Sequence, residues 1–164
     1  MKNSRPLRVI AAFPAVLWAG VIYMLSDTPA VESTNESLSF TGMLLDLVSR
    51  FIYVDPAKRD MIIIAMEPHI RKIAHMTEFG ILFLLVLIPA VLFIKKLSLR
   101  TGITLLITLL YAVSDEIHQL FVPGRSGMLR DVVIDFLGAL IALGLYLVII
   151  IIIRTVRKHI AASK

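Results

Sequence analysis

Tyr111-Ala-Val-Ser-Asp-Glu-Ile-His-Gln-Leu-Phe-Val-Pro-Gly-Arg125 is the stretch on which the fold turns. Residues 101–114 before it and 136–153 beyond it carry no charged side chain. Asp115, Glu116, His118 and Gln119 therefore sit at the end of one apolar helical run, and Arg130, Asp131 and Asp135 open the next. Ionisable groups inside a membrane span are rare, face the bundle interior and mark a functional site by default. The rest of the chain reads as a frame for this cluster.

Composition agrees. The 164 residues suit one domain. Their 58% hydrophobic share and mean hydropathy of +0.87 exceed those of a soluble domain. Several apolar runs approach or exceed the roughly 17–25 residues that cross a bilayer. The expected class is an all-α membrane protein with four transmembrane helices and an extracytoplasmic loop carrying amphipathic helices. The absence of cysteine removes disulfides and thiolate metal sites. The net charge of +5 would point to nucleic acid in a soluble chain; here membrane topology accounts for it, and no nucleic-acid partner is expected.

The first span is expected at about 9–25, as an uncleaved helix rather than a signal peptide, because its uncharged run is longer than a usual h-region. A hydrophilic connection follows over 26–69. Within it Ser33, Thr34, Asn35, Ser37 and Ser39 read as a polar loop. From Phe40, Leu44, Leu45, Leu47, Val48, Phe51 and Ile52 recur at the spacing of an amphipathic helix. Asp55-Pro56 reads as an N-cap and first helical position of a short helix to about Met66, with Glu67-Pro68 restarting the chain. Further spans are expected at about 70–94, 101–120 and 129–153, with a turn at Pro123-Gly124.

Charge sets the orientation. The tail before Val9, the Lys95–Arg100 loop and the segment after Ile153 hold Lys2, Arg5, Arg8, Lys95, Lys96, Arg100, Arg154, Arg157, Lys158 and Lys164 and none of the 12 acidic residues. Basic loops stay cytoplasmic, so both termini are expected on the cytoplasmic side of the membrane and the polar cluster outside. At about 1.5 Å per residue, Asp135 stands roughly 28 Å above Arg154, Asp115 roughly 22 Å above Arg100 and His75 roughly 30 Å above Lys95. Polar groups from three helices thus share one layer. At about 100° per residue, Arg71, Lys72, His75, Glu78 and Phe79 fall on one side of span two. Asp115, His118 and Gln119 share a side of span three with Glu116 at its margin, and Asp131, Asp135, Gly138 and Ala142 form a stripe on span four. The small residues in that stripe suit a close helix–helix contact.

Three chemistries could use such a pocket. Arginine and lysine could clamp a phosphate. A histidine beside a carboxylate could act as general acid–base. Histidine plus carboxylates could hold Zn²⁺ or Mn²⁺, although no His-x-x-x-His motif is present and no metal ligands are assigned. Beside these stands a structural reading, in which opposite charges on neighbouring helices pair and only hold the bundle together.

Arg71-Lys72-Ile73-Ala74-His75-Met76-Thr77-Glu78-Phe79, Tyr111-x-x-x-Asp115-Glu116-x-His118-Gln119-x-Phe121-x-Pro123-Gly124-Arg125 and Asp131-x-x-x-Asp135-x-x-Gly138 resemble the VanZ-like family of small bacterial membrane proteins. Ser26-Asp-Thr-Pro29 resembles the family's first loop. Relatives often carry Tyr in place of Phe79 and Asn in place of Asp135. The family takes its name from a protein linked to teicoplanin resistance, and the resemblance implies a single VanZ-like domain over 1–164 and an envelope role.

The expected function is binding or processing of an anionic, phosphorylated envelope lipid or lipid-linked cell-wall precursor at the outer leaflet. Such a role would affect teicoplanin susceptibility. For catalysis the candidates are His118 as acid–base with Asp115 orienting it, and His75, Glu78 and Glu116. For substrate binding they are Arg125 and Lys72 as phosphate clamp, with Arg130, Gln119, Asp131 and Asp135. The rival is a non-catalytic protein that masks or remodels the antibiotic's surface target. A transporter subunit fits less well, since no repeat or broken helix pair is present. No cofactor is assigned.

Overall fold

The computed structural model describes residues 10–162. The basic tail, the expected start of span one at Val9, and Lys164 lie outside them. Five α-helices follow in order: α1 (Phe13–Ser26), α2 (Ala30–Val48), α3 (Arg59–Phe93), α4 (Leu97–Gln119) and α5 (Leu129–Ala162). A short 3₁₀ turn, Pro56–Lys58, leads into α3, and no strand is present among the described residues. Helices α3, α4 and α5 are each long and apolar enough to cross a membrane, and α1 is a shorter apolar helix of 14 residues. This is the helix set of a membrane protein with about four spans.

Between α1, α3, α4 and α5 the core holds Ile22, Phe79, Leu82, Ala112 and Val132, with Trp18 and Tyr111 against it. A second cluster, Phe83, Leu87, Ala139 and Ala142, fills the α3–α5 seam further along. Gly80 and Gly138 bring these two backbones together. A Cβ on Gly138 would overlap Met76 O, and one on Gly80 would lie 3.2 Å from Gly138 O. The small stripe Gly138–Ala142 is thus a close contact, as expected. Buried polar side chains find backbone partners: Thr104 and Thr108 hydroxyls donate to Arg100 O (2.8 Å) and Thr104 O (3.0 Å).

The connection over 26–69 departs from expectation in two places. Residues 33–39 are helical, not a polar loop, because their hydroxyls satisfy themselves within the helix. Ser39 Oγ donates to Asn35 O (2.9 Å) and Thr41 Oγ1 to Ser37 O (2.7 Å). The amphipathic helix therefore begins at Ala30 and ends at Val48, leaving Phe51 and Ile52 exposed beyond it. Second, Glu67-Pro68 does not restart the chain: Pro68 lies inside α3, as does Pro89. Interior proline is unfavourable in a helix, and α2 touches α3 on both sides of Pro68. Arg59 donates to Asp46 Oδ1 (2.9 Å) and Oδ2 (3.0 Å), and Arg71 Nη1 reaches Thr34 Oγ1 (3.4 Å) and Glu67 Oε1 (3.4 Å). The cap itself forms, with Asp55 Oδ1 accepting from Ala57 N at 3.0 Å.

Candidate functional site

Helices α1, α3, α4 and α5 converge at one end, beside the 120–128 loop. That loop turns at Val122-Pro123-Gly124-Arg125, closed by Arg125 N donating to Val122 O (3.1 Å). Gly124 takes φ +75°, which the third position of a Pro-Gly type II turn requires. Pro123 O then accepts from Ala30 N (3.1 Å), tying the loop to the start of α2. The turn aims Arg125 back over α1. Its Nε donates to Thr28 O (2.9 Å) and its Nη2 to Leu25 O (3.2 Å), so it caps the carbonyl end of that helix. Burial acts first on this guanidinium and lowers its pKa, Asp115 opposing it, and at pH 7 it stays charged.

Beside the turn lies a cavity of about 350 Å³. Arg71, Lys72 and His75 line it from α3, Glu116 and Gln119 from α4, and Asp131 and Asp135 from α5. Arg125 lines it from the loop, and Ser33 and Thr34 from α2. The polar stripes of three spans therefore do share one pocket. Lys72 has no hydrogen bond or ion pair among the described residues, so its ammonium is available to a ligand.

Beneath the cavity is an acidic floor. Single carboxylate oxygens of Asp115, Glu116 and Asp135, all three buried, lie within 4.8 Å of one another. Asp115 Oδ2 accepts from Ser26 Oγ (2.9 Å) and Gln119 Nε2 (3.0 Å). Glu116 Oε2 accepts from Met128 N (2.8 Å). Glu116 was expected at the margin of α4; at 6% exposure it points inward, because it closes the loop that follows its own helix. His75 Nδ1 lies 3.7 Å from Glu78 Oε2 and 4.0 Å from Asp135 Oδ1.

Other expected residues stand elsewhere. His118 Nε2 lies 3.2 Å from Asp27 Oδ1, off the angle of a hydrogen bond, and its ring stacks on Tyr23 at 4.4 Å. Its acidic neighbour is thus Asp27 on the loop after α1, whereas Asp115 is engaged with Ser26 and Gln119. Neither His118 nor Glu78 lines the cavity. Arg130 is exposed and also stands off it. Sequence reasoning missed Ser26, Asp27 and Arg71 as members of the site. The signal for the first two was the Ser26-Asp-Thr-Pro29 segment, which carried part of the resemblance and was assigned no role.

Three helices long and apolar enough to cross a membrane, around a charge-lined cavity, are the features of a polytopic helical membrane protein. The sequence model of the VanZ/LLP1 family matches residues 11–152. The chain belongs to the VanZ-like family, and is thus a membrane protein of a family linked to teicoplanin resistance. No curated protein and no solved structure matches it.

Proposed function

We propose that the cavity holds the phosphate headgroup of an anionic envelope lipid or lipid-linked cell-wall precursor, entering from the outer leaflet of the bacterial plasma membrane. The observation that carries this reading is that three cations, Arg71, Lys72 and Arg125, line one cavity, with Lys72 unpartnered among the described residues. The carboxylates behind them keep an anion beside the cations, and its acyl chains remain in lipid. Through that lipid the protein affects the surface that teicoplanin meets.

The position of His118 removes it as the acid–base and leaves His75 as the one candidate imidazole on the cavity wall. His118 is stacked on Tyr23 and lies off the cavity wall, so a bound phosphoester has no imidazole acid–base from α4 beside it. Lys72→Gln should therefore lower co-purifying anionic lipid on the order of tenfold, since a hydrogen bond to a charged group contributes about 1.5–3 kcal/mol. His118→Gln should retain it. Purification in mild detergent followed by lipid mass spectrometry reads both. Equal lipid in wild type and a folded Lys72→Gln variant sinks the headgroup reading.

The outer-leaflet entry needs both termini in the cytoplasm. The chain has no cysteine, so a single Asn35→Cys, on the exposed side of α2, should react with an impermeant maleimide in intact cells. Ser98→Cys, in the first turn of α4, should not. The reverse pattern would invert the topology.

A further inference from the structure

We propose that Asp115, Glu116 and Asp135, with His75, form a binding site for one divalent cation of the Mn²⁺ or Zn²⁺ class. The inference rests on the carboxylate floor of the cavity and stands whether or not a lipid binds above it.

Three buried carboxylates come from two helices, with one oxygen of each inside a 4.8 Å span. Like charges at that separation are relieved either by a proton on one of them or by a cation among them. The nearby side chains do not supply that cation by contact: Arg125 spends Nε and Nη2 on carbonyls, and Arg71 pairs with Glu67. A second observation points to a ligand. Asp135 is 1% exposed and its Oδ2 has no hydrogen-bond partner. A buried carboxylate oxygen left bare is costly, and Asp135 lines the cavity into which a cation would be admitted.

The distances suit an ion better than hydrogen bonds. His75 Nδ1 to Asp135 Oδ1, at 4.0 Å, is too long for a hydrogen bond. Three oxygens around one cation bonded at about 2.0–2.2 Å stand about 3.0–3.6 Å apart, so carboxylates that lie within 4.8 Å of one another would close by about 1–2 Å on binding it. Asp115 and Glu116 are also oriented by partners of their own, Ser26 and Gln119 on one and Met128 N on the other. Hydrogen-bonded ligand carboxylates are how metal sites fix their donors. Hard carboxylate oxygens with a single imidazole favour Mn²⁺ and accommodate Zn²⁺.

The test uses the full chain in detergent, stripped with chelator, and Mn²⁺ alone as probe. Electron paramagnetic resonance should show one saturable Mn²⁺ per chain, displaced by Zn²⁺. Asp135→Asn, which keeps the shape, should weaken binding at least tenfold. Asp60→Asn, an exposed carboxylate on α3, should change it less than twofold. A readout independent of any carboxylate variant comes from the wild type: pulsed measurements should show nitrogen coupling to the bound Mn²⁺, lost in His75→Gln. Absence of saturable binding by wild type, or undiminished binding by a folded Asp135→Asn protein, overturns the site. Because no lipid is titrated, a failed lipid experiment and a failed metal experiment are separate results.

Discussion

Gly138→Ala is expected to force α3 and α5 apart and lower the thermal midpoint of the detergent-solubilised protein by on the order of 10 °C. The new methyl would overlap Met76 O and lie within 2.9 Å of Met76 Cα. Both sides of that clash are backbone, so no side-chain rotation relieves it. The damage reaches the site, since Asp135 stands one turn before Gly138 and His75 is adjacent to Met76. The same helix supplies the control. A Cβ on Gly144 meets nothing within 4 Å, and alanine in a helix interior gains roughly 0.5–1 kcal/mol over glycine. Gly144→Ala should therefore match or slightly exceed wild type. Scanning fluorimetry of the two variants side by side decides it, and equal midpoints would mean the α3–α5 seam is loose.

Arg125→Ala is expected to release the carbonyl end of α1. Its two bonds, to Thr28 O and Leu25 O, are charge-assisted, and at about 1.5–3 kcal/mol each their loss should speed local amide exchange over residues 25–28 on the order of a hundredfold. Lysine offers a point charge in place of the planar fork and should restore only part of the protection. Hydrogen exchange by mass spectrometry measures this directly. Unchanged exchange would show that α1 is held without the arginine. A loss of lipid in Arg125→Ala therefore mixes two effects, which is why Lys72 is the cleaner probe of the headgroup.

The long apolar runs of α3, α4 and α5 were legible because length, hydropathy and basic flanks all say the same thing. The convergence of His75, Gln119, Asp131 and Asp135 was legible from helical angle and depth, whereas the inward turn of Glu116 was not. What escaped the sequence was partner choice at the contacts. His118 and Asp115 lie three residues apart on one helix and invite pairing, yet α1 delivers Asp27 to the first and Ser26 to the second. Arg125 looked like a clamp because its charge was visible, whereas the carbonyls it caps were not. The first half of the helix over 30–48 was hidden because serine and threonine are turn formers by composition. Only tertiary packing on α3, with hydroxyls folded back to their own backbone, shows why they stay helical. Pro68 misled for the same reason, as local propensity yields to contacts made from α2.

The tethers of α1 also set an order of assembly during synthesis. Tyr111 holds Ala19 O across 92 residues, Asp115 holds Ser26 across 89, and Arg125 holds Thr28 and Leu25 across 97 and 100. Contacts that distant in the chain form late. The first described helix to leave the ribosome therefore waits for these tethers until α4 and the following turn have emerged. At about 5–20 residues per second, that wait lasts roughly 5–20 seconds. During that interval Leu25, Ser26 and Thr28 have none of these partners, and a nascent chain stopped before Arg125 lacks both the strap and the α5 wall of the cavity.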